Sequence, residues 1–483
     1  MKKNIILPIL LILSVFIFCL SVALKSSINS DSASMYIEAM DMANGNWLLN
    51  GWDLSTVPFY FTDTLLYAVI IKIFGPHEIF MWIIPTIIYT LCVFISSLLI
   101  YSSKKNYIGL IALLFCVAMP SVYASNFTLA MCIHVGTILL SLTCVYFISK
   151  KSRYAPAIII LISPLATFSD KIFLYYFTLP LMVAIVFSLY YGYKKKKECF
   201  ILLISLFVSV VLYKFISFLS CTYGIITTPW SAPQKFVEYD RFLFNIDLLI
   251  KGVIYYFDAF IFGKELGPQS IIYAGRFLSM SIWLSILVVA SIKRFRSTVI
   301  DTYLVIVTAL MPAAYIFSNL PGDLMTTRYF SYSFITGTII IGRYIQECKV
   351  KPIALIGMAL FLIVINFQQI TLNKPKDDYS RVAKYIASNN LGDGFGTFWE
   401  ASSTSVRGSK SIYPVLFDNG EFVNMNWLSK DAWYSTKSRY IVIKNDDTEI
   451  SKVSKEFGSD FSIIRFGDLA VISYKDERIS VKR

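Results

Sequence analysis

Histidine is almost absent from this chain, whose 483 residues include only His77 and His134, far apart in the sequence. Two separated, unpaired histidines argue against a histidine-based metal site and against a Ser-His-Asp triad. A glycine-rich phosphate loop is also missing, which argues against a nucleotide-binding cassette. The eight cysteines lie in or beside apolar runs and form no CxxC pair, so we expect no disulfide framework.

Charged residues are scarce as well, at 16% of the chain against 56% hydrophobic residues. Soluble domains carry about 25% charged residues, so this composition indicates a polytopic membrane protein. Of the 75 charged residues, 32 fall in residues 374–483. We therefore predict an α-helical membrane domain over 1–373 and a soluble domain over 374–483.

Eleven apolar runs predict spanning helices. They cover residues 5–24, 79–101, 107–124, 127–148, 155–169, 172–192, 199–220, 271–292, 299–318, 329–347 and 352–371. Short basic clusters separate them and mark cytoplasmic loops: Lys2/Lys3, Lys104/Lys105, Lys150/Lys151/Arg153, Lys194–Lys197, Lys293/Arg294/Arg296 and Arg343/Lys349/Lys351. Because the basic residues form such topology signals, the net charge of +13 does not predict a nucleic-acid partner.

This topology places the N-terminus in the cytoplasm, with the first run as an uncleaved signal anchor, and the C-terminal domain outside the bacterial cytoplasmic membrane. It also requires that residues 59–74 and 247–262 do not span the membrane, since either span would place the following basic cluster on the outer side. We interpret both segments as interfacial or re-entrant helices on the outer side, and the alternative is that one of them spans. The first outer loop then covers 25–78.

The tail has the pattern of an α/β domain. Residues 377–390 have apolar residues at helical spacing. The segments FGTFW, IYPVLF and YIVIK predict strands, and FSIIRF and LAVISYK predict a hairpin that turns at Gly467-Asp468.

The first outer loop contains the most distinctive motif, DSASMYIEAMDMANGNWLLNGWDLSTVPFYFTD (31–63). An acid follows the first span, then a short helix with Met35, Ala39 and Met42 on one face, which suits a helix on the membrane surface. Gly45-Asn46, Gly51-Trp52, Phe59-Tyr60, Asp63 and Tyr67 follow in that order. The stretch resembles the first outer loop of the GT-C superfamily, the integral membrane glycosyltransferases that use polyprenyl-phosphate sugars. The resemblance covers this loop, the general layout and, loosely, the tail segment GFGTFWEASSTSV.

The resemblance implies an inverting glycosyltransferase that moves a sugar from a polyprenyl-phosphate carrier to a glycan, lipid or protein acceptor at the bilayer's outer face. Sugar transfer needs a carboxylate that takes the acceptor proton and cations that stabilise the leaving phosphate. The superfamily's first-loop acid, which is typically the catalytic base or a metal contact, maps to Asp31, and we interpret Asp31 as the base. An assisting acid from a later outer loop maps to Asp170. Asp63 is the third catalytic candidate. The substrate-binding candidates are Arg328, Lys171, Tyr329, Trp52 and Tyr60. A divalent cation (Mg²⁺ or Mn²⁺) stays open, because the sequence offers no deciding ligand set.

Each of these residues also has a structural interpretation. Asp31 is a preferred helix N-cap, and Asp170-Lys171 suits a solvated hairpin tip. Asp63 could be a structural residue that pairs with Lys72 or is capped by Thr62. Arg328 could be an interfacial anchor beside the aromatic belt. We expect Glu38 and Asp41 to lie on the solvent-exposed face of the short helix and to have no further role.

Two other functions compete with the transferase. A flippase or transporter is disfavoured by the missing internal repeat and by the long outer domain. A polysaccharide polymerase or ligase shares the lipid-linked substrate but relies on arginines in a large late loop, and the outer loop at 319–328 is short.

Overall fold

The computed structural model describes residues 3–104, 106–130, 133–192, 196–226, 228–229, 234–374, 376–408 and 410–481. Four lysines of the basic clusters, Lys2, Lys105, Lys194 and Lys195, lie outside these ranges. The chain divides into two compact units. Unit 1 comprises residues 1–26, 82–218 and 232–373, and unit 2 comprises residues 27–81, 219–231 and 374–483. The first outer loop is thus grouped with the tail.

The described residues form α-helices of widely differing length. In chain order they are α1 (Lys3–Ala23), α2 (Ser30–Ala43), α3 (Leu65–Phe74), α4 (Phe80–Lys104), α5 (Val122–Thr128), α6 (Val135–Ser149), α7 (Ala155–Ser169), α8 (Leu179–Tyr190), α9 (Lys196–Tyr223), α10 (Tyr239–Tyr256), α11 (Pro268–Arg294), α12 (Val299–Phe317), α13 (Ser331–Ile345), α14 (Pro352–Phe367), α15 (Asp378–Ser388), α16 (Phe398–Ser405) and α17 (Asp447–Phe457). Short π-helices cover Tyr60–Thr64 and Leu174–Thr178, and 3₁₀-helices cover Ile108–Leu114, Leu324–Phe330, Gln368–Thr371 and Asp431–Ser435.

By length and composition, five helices among the described residues can cross a membrane. They are α4, α9, α11, α12 and the segment Pro352–Thr371, which joins α14 to its 3₁₀ extension. Shorter apolar helices cover Leu10–Ala23, Val135–Ser149, Ala155–Ser169 and Leu174–Tyr190. Each of these overlaps a run that the sequence predicted to span.

The predicted span at 107–124 is not one continuous helix. A 3₁₀ turn over Ile108–Leu114 is followed by irregular chain and then by α5. Pro120 lacks an amide hydrogen and disfavours the helical conformation of the residue before it. Ser121 then starts a new helix, because its hydroxyl accepts a hydrogen bond from the Ala124 amide at 3.0 Å. The tight turn also brings Gly109 against Gly342 of α13.

One end of unit 1 is held by a buried ion network. Asp301, fully buried in the first turn of α12, lies 2.6 Å from Arg343 Nε and 2.7 Å from Arg294 Nη2. Arg294 reaches Glu347 at 2.6 Å, and Lys104 reaches the same carboxylate at 3.4 Å. These groups lie where α4, α11 and α13 end and α12 begins. They belong to the clusters that the sequence assigns to the cytoplasm.

The helix α10 contains much of the segment 247–262 and packs at the opposite end of unit 1. Asn245 donates hydrogen bonds to the backbone carbonyls of Ile316 and Ser318, both at 2.9 Å, where α12 ends. Gly252 lies against Thr327, just before α13 begins. Asn245 and Gly252, about two turns apart on α10, thus both contact the end of unit 1 that lies opposite the Asp301 network.

The tail in unit 2 is built on a six-stranded mixed sheet in the order β4-β3-β2-β6-β8-β7. After β1 (Trp52–Asp53) in the first loop, the strands are β2 (Gly394–Thr397), β3 (Ile412–Asp418), β4 (Glu421–Asn424), β5 (Ser429–Lys430), β6 (Tyr440–Lys444), β7 (Ser462–Phe466) and β8 (Leu469–Ser473). The central strand β2 runs parallel to β3 and β6, and the remaining pairs in this sheet are antiparallel.

The predicted tail elements are present. The helix α15 buries Val382, Ala383 and Ile386, and β7 and β8 form the predicted hairpin with Gly467 at φ 66°. The strand in FGTFW ends at Thr397, and α16 begins at the next residue. The strand β4 and the helices α16 and α17 were not predicted.

The glycines Gly342 and Gly357 provide a matched test of the packing in unit 1, because both lie in helices of this unit. A Cβ on Gly342 would lie 2.8 Å from the Gly109 carbonyl oxygen, whereas a Cβ on Gly357 would meet nothing within 4 Å. We expect Gly342→Ala to destabilise the protein by about 1–3 kcal/mol through overpacking. Gly357→Ala should be neutral or slightly stabilising. Thermal melting of both variants in one detergent tests this, and equal melting temperatures would contradict the close approach.

Candidate active site

The helix α2 begins at Ser30, and Asp31 lies in its first turn. The N-cap is Asn29, whose side-chain oxygen accepts a hydrogen bond from the Ser32 amide at 2.9 Å. The interpretation of Asp31 as the N-cap is therefore wrong. Its partly exposed carboxylate instead lies close to the positive end of the helix, where a negative charge is favoured.

Serine hydroxyls join α2 to the tail. Ser30 donates to the Trp399 carbonyl oxygen at 2.6 Å and lies 3.0 Å from the hydroxyl of Ser403. One turn later, Ser34 donates to the Ser402 hydroxyl at 2.8 Å. The helix also packs on α3 through its other side. The α2 helix is thus buried on two sides within unit 2, which differs from the predicted helix with one wet face.

Asp41, near the end of α2, links the first loop to the tail. Its carboxylate accepts hydrogen bonds from the Trp52 indole at 2.8 Å and from Asn46 at 2.6 Å, and forms an ion pair with Lys430 at 3.0 Å. Burial opposes ionisation, but the bonds from Trp52, Asn46 and Lys430 outweigh it and hold the pKa of Asp41 below its usual value. Asp41 is therefore not a solvated surface residue, and our expectation for it was wrong.

Trp52, a predicted substrate-binding residue, is buried in this link. Besides its bond to Asp41, its ring packs edge-on against Trp433, with centroids 5.0 Å apart. Its backbone lies in β1, which pairs with β5 of the tail. The single polar atom of the indole is thus already bonded to Asp41.

Glu38 is the least expected feature of α2. Its side chain is 0% exposed, and neither carboxylate oxygen has a hydrogen-bond partner among the described residues. Burial raises the pKa of Glu38 well above its usual range, because the buried site disfavours the charged form of the carboxyl group. The expectation of a wet residue is wrong here too. The i, i+4 spacing of Ser30, Ser34 and Glu38 was the available signal, because it places all three on one stripe of the helix.

Asp63 and Tyr60 lie in the π-helix Tyr60–Thr64, which precedes α3 in unit 2. Asp63 is buried, whereas Lys72, its suggested partner, is exposed. Tyr60 is also buried and donates its hydroxyl hydrogen to the Trp47 carbonyl oxygen at 2.7 Å. Thr62 donates to the Phe59 carbonyl oxygen at 3.2 Å. Single π turns are frequent at functional sites, and this one places a carboxylate in the unit's interior.

Unit 1 contains a second cluster around Asp170, where α7 ends. Asp170 is 1% exposed, and its Oδ2 lies 2.7 Å from His134 Nδ1 and accepts from the Thr137 hydroxyl at 2.6 Å. Its Oδ1 accepts from the Ile172 amide at 3.1 Å. The interpretation of Asp170 as a solvated hairpin tip is therefore wrong, and its contact with His134 was not predicted. His134 adopts φ 64° just before α6 begins, which brings the ends of α6 and α7 together.

Tyr329 and Arg328 complete this cluster. The Tyr329 ring lies 5.6 Å from the His134 ring, and the Arg328 guanidinium lies 5.2 Å from the Tyr329 centroid. The Tyr176 hydroxyl donates to the carbonyl oxygens of Arg328 and Tyr329 at 3.4 and 3.3 Å. Lys171, next to Asp170, is exposed. No carboxylate in the described ranges forms an ion pair with Arg328 or Lys171, so these cations are available to an anionic ligand.

The predicted site residues therefore fall into two groups of four. Unit 2 contains Asp31, Trp52, Tyr60 and Asp63, and unit 1 contains Asp170, Lys171, Arg328 and Tyr329. Sequence reasoning missed Glu38 and the pairing of His134 with Asp170. Across the part of the chain that the structure describes, no three His, Cys, Asp or Glu side chains converge to hold a metal ion.

Comparison with solved structures shows the fold of the whole chain. ArnT from Cupriavidus metallidurans in the apo state superposes with a TM-score of 0.61 at 12% identity, covering 98% of each chain. The same protein bound to undecaprenyl phosphate gives a TM-score of 0.57 at 11% identity, again covering 98% of each chain. No protein-family model matches the sequence, and no curated protein matches it. The chain thus has an ArnT-like fold, which confirms the predicted α-helical architecture with a C-terminal α/β domain.

Glu38 and Asp41 predict opposite effects of two matched amide substitutions. The protonated form of Glu38 stabilises the fold below an ordinary carboxyl pKa of about 4.3, and this contribution is lost as pH rises toward the raised pKa. Glu38→Gln should therefore melt above the wild type, by a margin that grows between pH 5 and 8 by up to about 1.4 kcal/mol per pH unit. The ionised form of Asp41 stabilises the fold until pH falls through its lowered pKa. Asp41→Asn should therefore melt below the wild type by a constant margin over this range.

Melting curves of the three proteins at several pH values test both carboxyl groups. Parallel pH profiles for Glu38→Gln and the wild type would show that Glu38 is solvated. A deficit of Asp41→Asn that disappears by pH 6 would contradict the ion pair with Lys430.

Proposed function

We propose that the protein is an inverting glycosyltransferase that moves a sugar from a polyprenyl-phosphate carrier to a cell-envelope acceptor. In this proposal the reaction takes place at the outer face of the bacterial cytoplasmic membrane, and the N-terminus lies in the cytoplasm. The observation that carries it is the full-length likeness to ArnT, one structure of which contains undecaprenyl phosphate. The first-loop motif and the cations of unit 1 support it independently.

The phosphate side of the reaction is assigned to unit 1. As the sugar leaves its carrier, the bond between the anomeric carbon and the phosphate oxygen breaks, and negative charge develops on the lipid phosphate. Arg328 and Lys171 suit this step, because guanidinium and ammonium groups stabilise phosphate charge and no described carboxylate neutralises either one. Asp170 acts as a positioning residue, since its bonds fix the orientation of the His134 ring beside Tyr329.

The acceptor side is assigned to unit 2. Asp31 takes the proton from the acceptor hydroxyl while the acceptor oxygen forms its bond to the anomeric carbon. A single displacement of this kind inverts the anomeric centre. Asp31 suits the base because it is partly exposed and is not the helix cap, whereas Glu38 on the same helix is fully buried. We assign Asp63 the role of orienting the acceptor, and we assign no role to a metal ion.

The substitution Asp31→Asn tests the assigned base. We expect a loss of transfer of about 10²–10⁴-fold, the usual contribution of general base catalysis. The measurement is mass spectrometry of cell-surface glycans from a deletion strain complemented with wild type, Asp31→Asn or Asp53→Asn. Asp53 is a loop carboxylate without an assigned role and serves as the matched control. Membrane yield of each variant is measured in parallel.

Restoration of the missing sugar unit by Asp31→Asn would contradict the assignment. If Glu38→Gln instead abolishes transfer at normal yield, the base is Glu38. If the deletion changes no envelope glycan, the proposed function itself is wrong.

Binding of undecaprenyl phosphate to the purified protein tests the phosphate site. We expect Arg328→Gln to weaken binding by about 10–100-fold, the usual worth of a hydrogen bond to a charged group. Arg328→Lys should recover only part of the loss, because lysine keeps the charge but not the bidentate geometry. The control is Lys251→Gln, which removes an exposed lysine of α10 that pairs with Asp247. Equal affinities for wild type and Arg328→Gln would exclude Arg328 from the site.

A further inference from the structure

A large cavity lies in unit 1 at the end that holds the Asp301 ion network. Its volume is about 990 Å³, and its lining residues come from the ends of several helices. The helices α4, α6, α11 and α13 end beside it, and α7, α9 and α12 begin there. The His134–Asp170 cluster lies at the other ends of α6 and α7. This cavity is therefore distinct from the site proposed for sugar transfer.

The lining of the cavity is mainly cationic and rich in hydroxyl groups. The charged lining residues are Lys104, Lys151, Arg153, Arg294 and Arg343 against Glu198 and Glu347. Five serines and one threonine add hydroxyl groups: Ser102, Ser103, Ser149, Ser152, Ser297 and Thr298. Among the described residues, no ion pair neutralises Lys151 or Arg153, which are both exposed. Cations and hydroxyl donors together suit an oxyanion such as phosphate.

Arg294 provides a buried donor without a partner in this lining. The side chain is 4% exposed, and its two terminal nitrogens bond to Glu347 and Asp301. Its Nε has no hydrogen-bond partner within the described ranges. A buried N–H without an acceptor costs about 1–3 kcal/mol, so Arg294 keeps an unused donor in a residue that lines the cavity.

The start of α7 adds a second source of positive potential. Ala155 and Pro156, its first residues, line the cavity, and no side chain caps this end of the helix. The first turn also contains no acidic residue. The Ala155 amide bonds to the Ser152 carbonyl oxygen at 3.0 Å and Pro156 has no amide hydrogen, so this helix end contributes through the positive end of its dipole.

An exposed apolar face leads away from the cavity along α9. Ile201 lines the cavity, and Ile204, Phe207 and Val211 follow on the exposed surface of the same helix. The chain pattern assigns this end of unit 1 to the cytoplasm, where anionic lipids accumulate. A phosphate in the cavity would therefore have space for attached acyl chains along α9.

We propose that this cavity binds the phosphate group of an anionic phospholipid from the cytoplasmic leaflet. Lys151 and Arg153 contact the phosphate from the α6–α7 turn, and Arg294 adds positive charge to the inner wall. The acyl chains lie against the exposed apolar residues of α9. The site is separate from that of the carrier lipid and from the residues assigned to transfer.

Binding measured on the full-length, delipidated protein tests the proposal. Native mass spectrometry compares phosphatidylglycerol with phosphatidylcholine for the wild type, for Lys151→Gln/Arg153→Gln and for Lys150→Gln. Lys150 belongs to the same turn but does not line the cavity, so it is the matched control. Both substituted sites are exposed, which keeps the buried network intact. A third arm adds inorganic phosphate at constant ionic strength and measures displacement of phosphatidylglycerol.

We expect the wild type to prefer phosphatidylglycerol. The double variant should bind it about 25-fold more weakly, or about fivefold for each charge removed, and Lys150→Gln should match the wild type. Equal binding of the two lipids by the wild type, or an unchanged affinity in the double variant, would overturn the proposal. Displacement by inorganic phosphate would support recognition of the phosphate group itself. Binding of inorganic phosphate without any binding of phosphatidylglycerol would show that a lipid is not the occupant, and the proposal would be wrong. No sugar donor is present, so the outcome is independent of the transferase proposal.

Discussion

The exclusion of charge from a bilayer interior determines where this protein places its ionisable groups. A membrane-spanning segment must satisfy its backbone internally, and an ionisable side chain within it is costly. The charged residues of unit 1 accordingly gather at the helix ends. At one end Asp301 joins Arg294 and Arg343, and at the other end Asp170 joins His134. Packing of the helices between these ends depends on apolar and small residues, such as Gly337 against Trp283.

The two buried acids of unit 1 differ in what surrounds them. Asp301 is bonded by two arginines and by the Thr298 hydroxyl, so its desolvation is offset by several charge-assisted bonds. Breaking such a buried pair by removing one partner costs about 3–5 kcal/mol, which indicates a structural role. Asp170 has a single histidine and the Thr137 hydroxyl, and it lies beside an aromatic ring and cations without carboxylate partners. Cations without carboxylate partners are typical of a site for an anionic ligand.

Unit 2 shows why an acidic first loop is followed, more than 300 residues later, by a soluble domain. The loop helix α2 cannot bury two sides by itself, and the tail supplies α16 and β5 as its partners. Asp41 and Lys430 form the ionic part of this link, and Ser30 and Ser34 with Ser403 and Ser402 form the neutral part. The position of Asp31 is therefore determined by the tail as well as by its own helix. The loose resemblance of GFGTFWEASSTSV has a physical basis here, because its serines contact α2.

The sequence by itself determined the class of the protein, the helical pattern of its first 373 residues and most of the tail strands. Apolar run length and strand alternation are local signals, and neither depends on distant contacts. Pro120 is also a local signal for a helix break, but the apolar residues around it led us to predict one continuous span. Only the tertiary structure decided which polar residues are buried and which of them meet. Glu38 is buried because α2 packs within unit 2, and His134 meets Asp170 because two helices end side by side. Asp41 likewise meets Lys430 only because the tail packs against the loop. Such pairs are distant in sequence and have no periodicity, so their chemistry becomes visible only when the chain is folded.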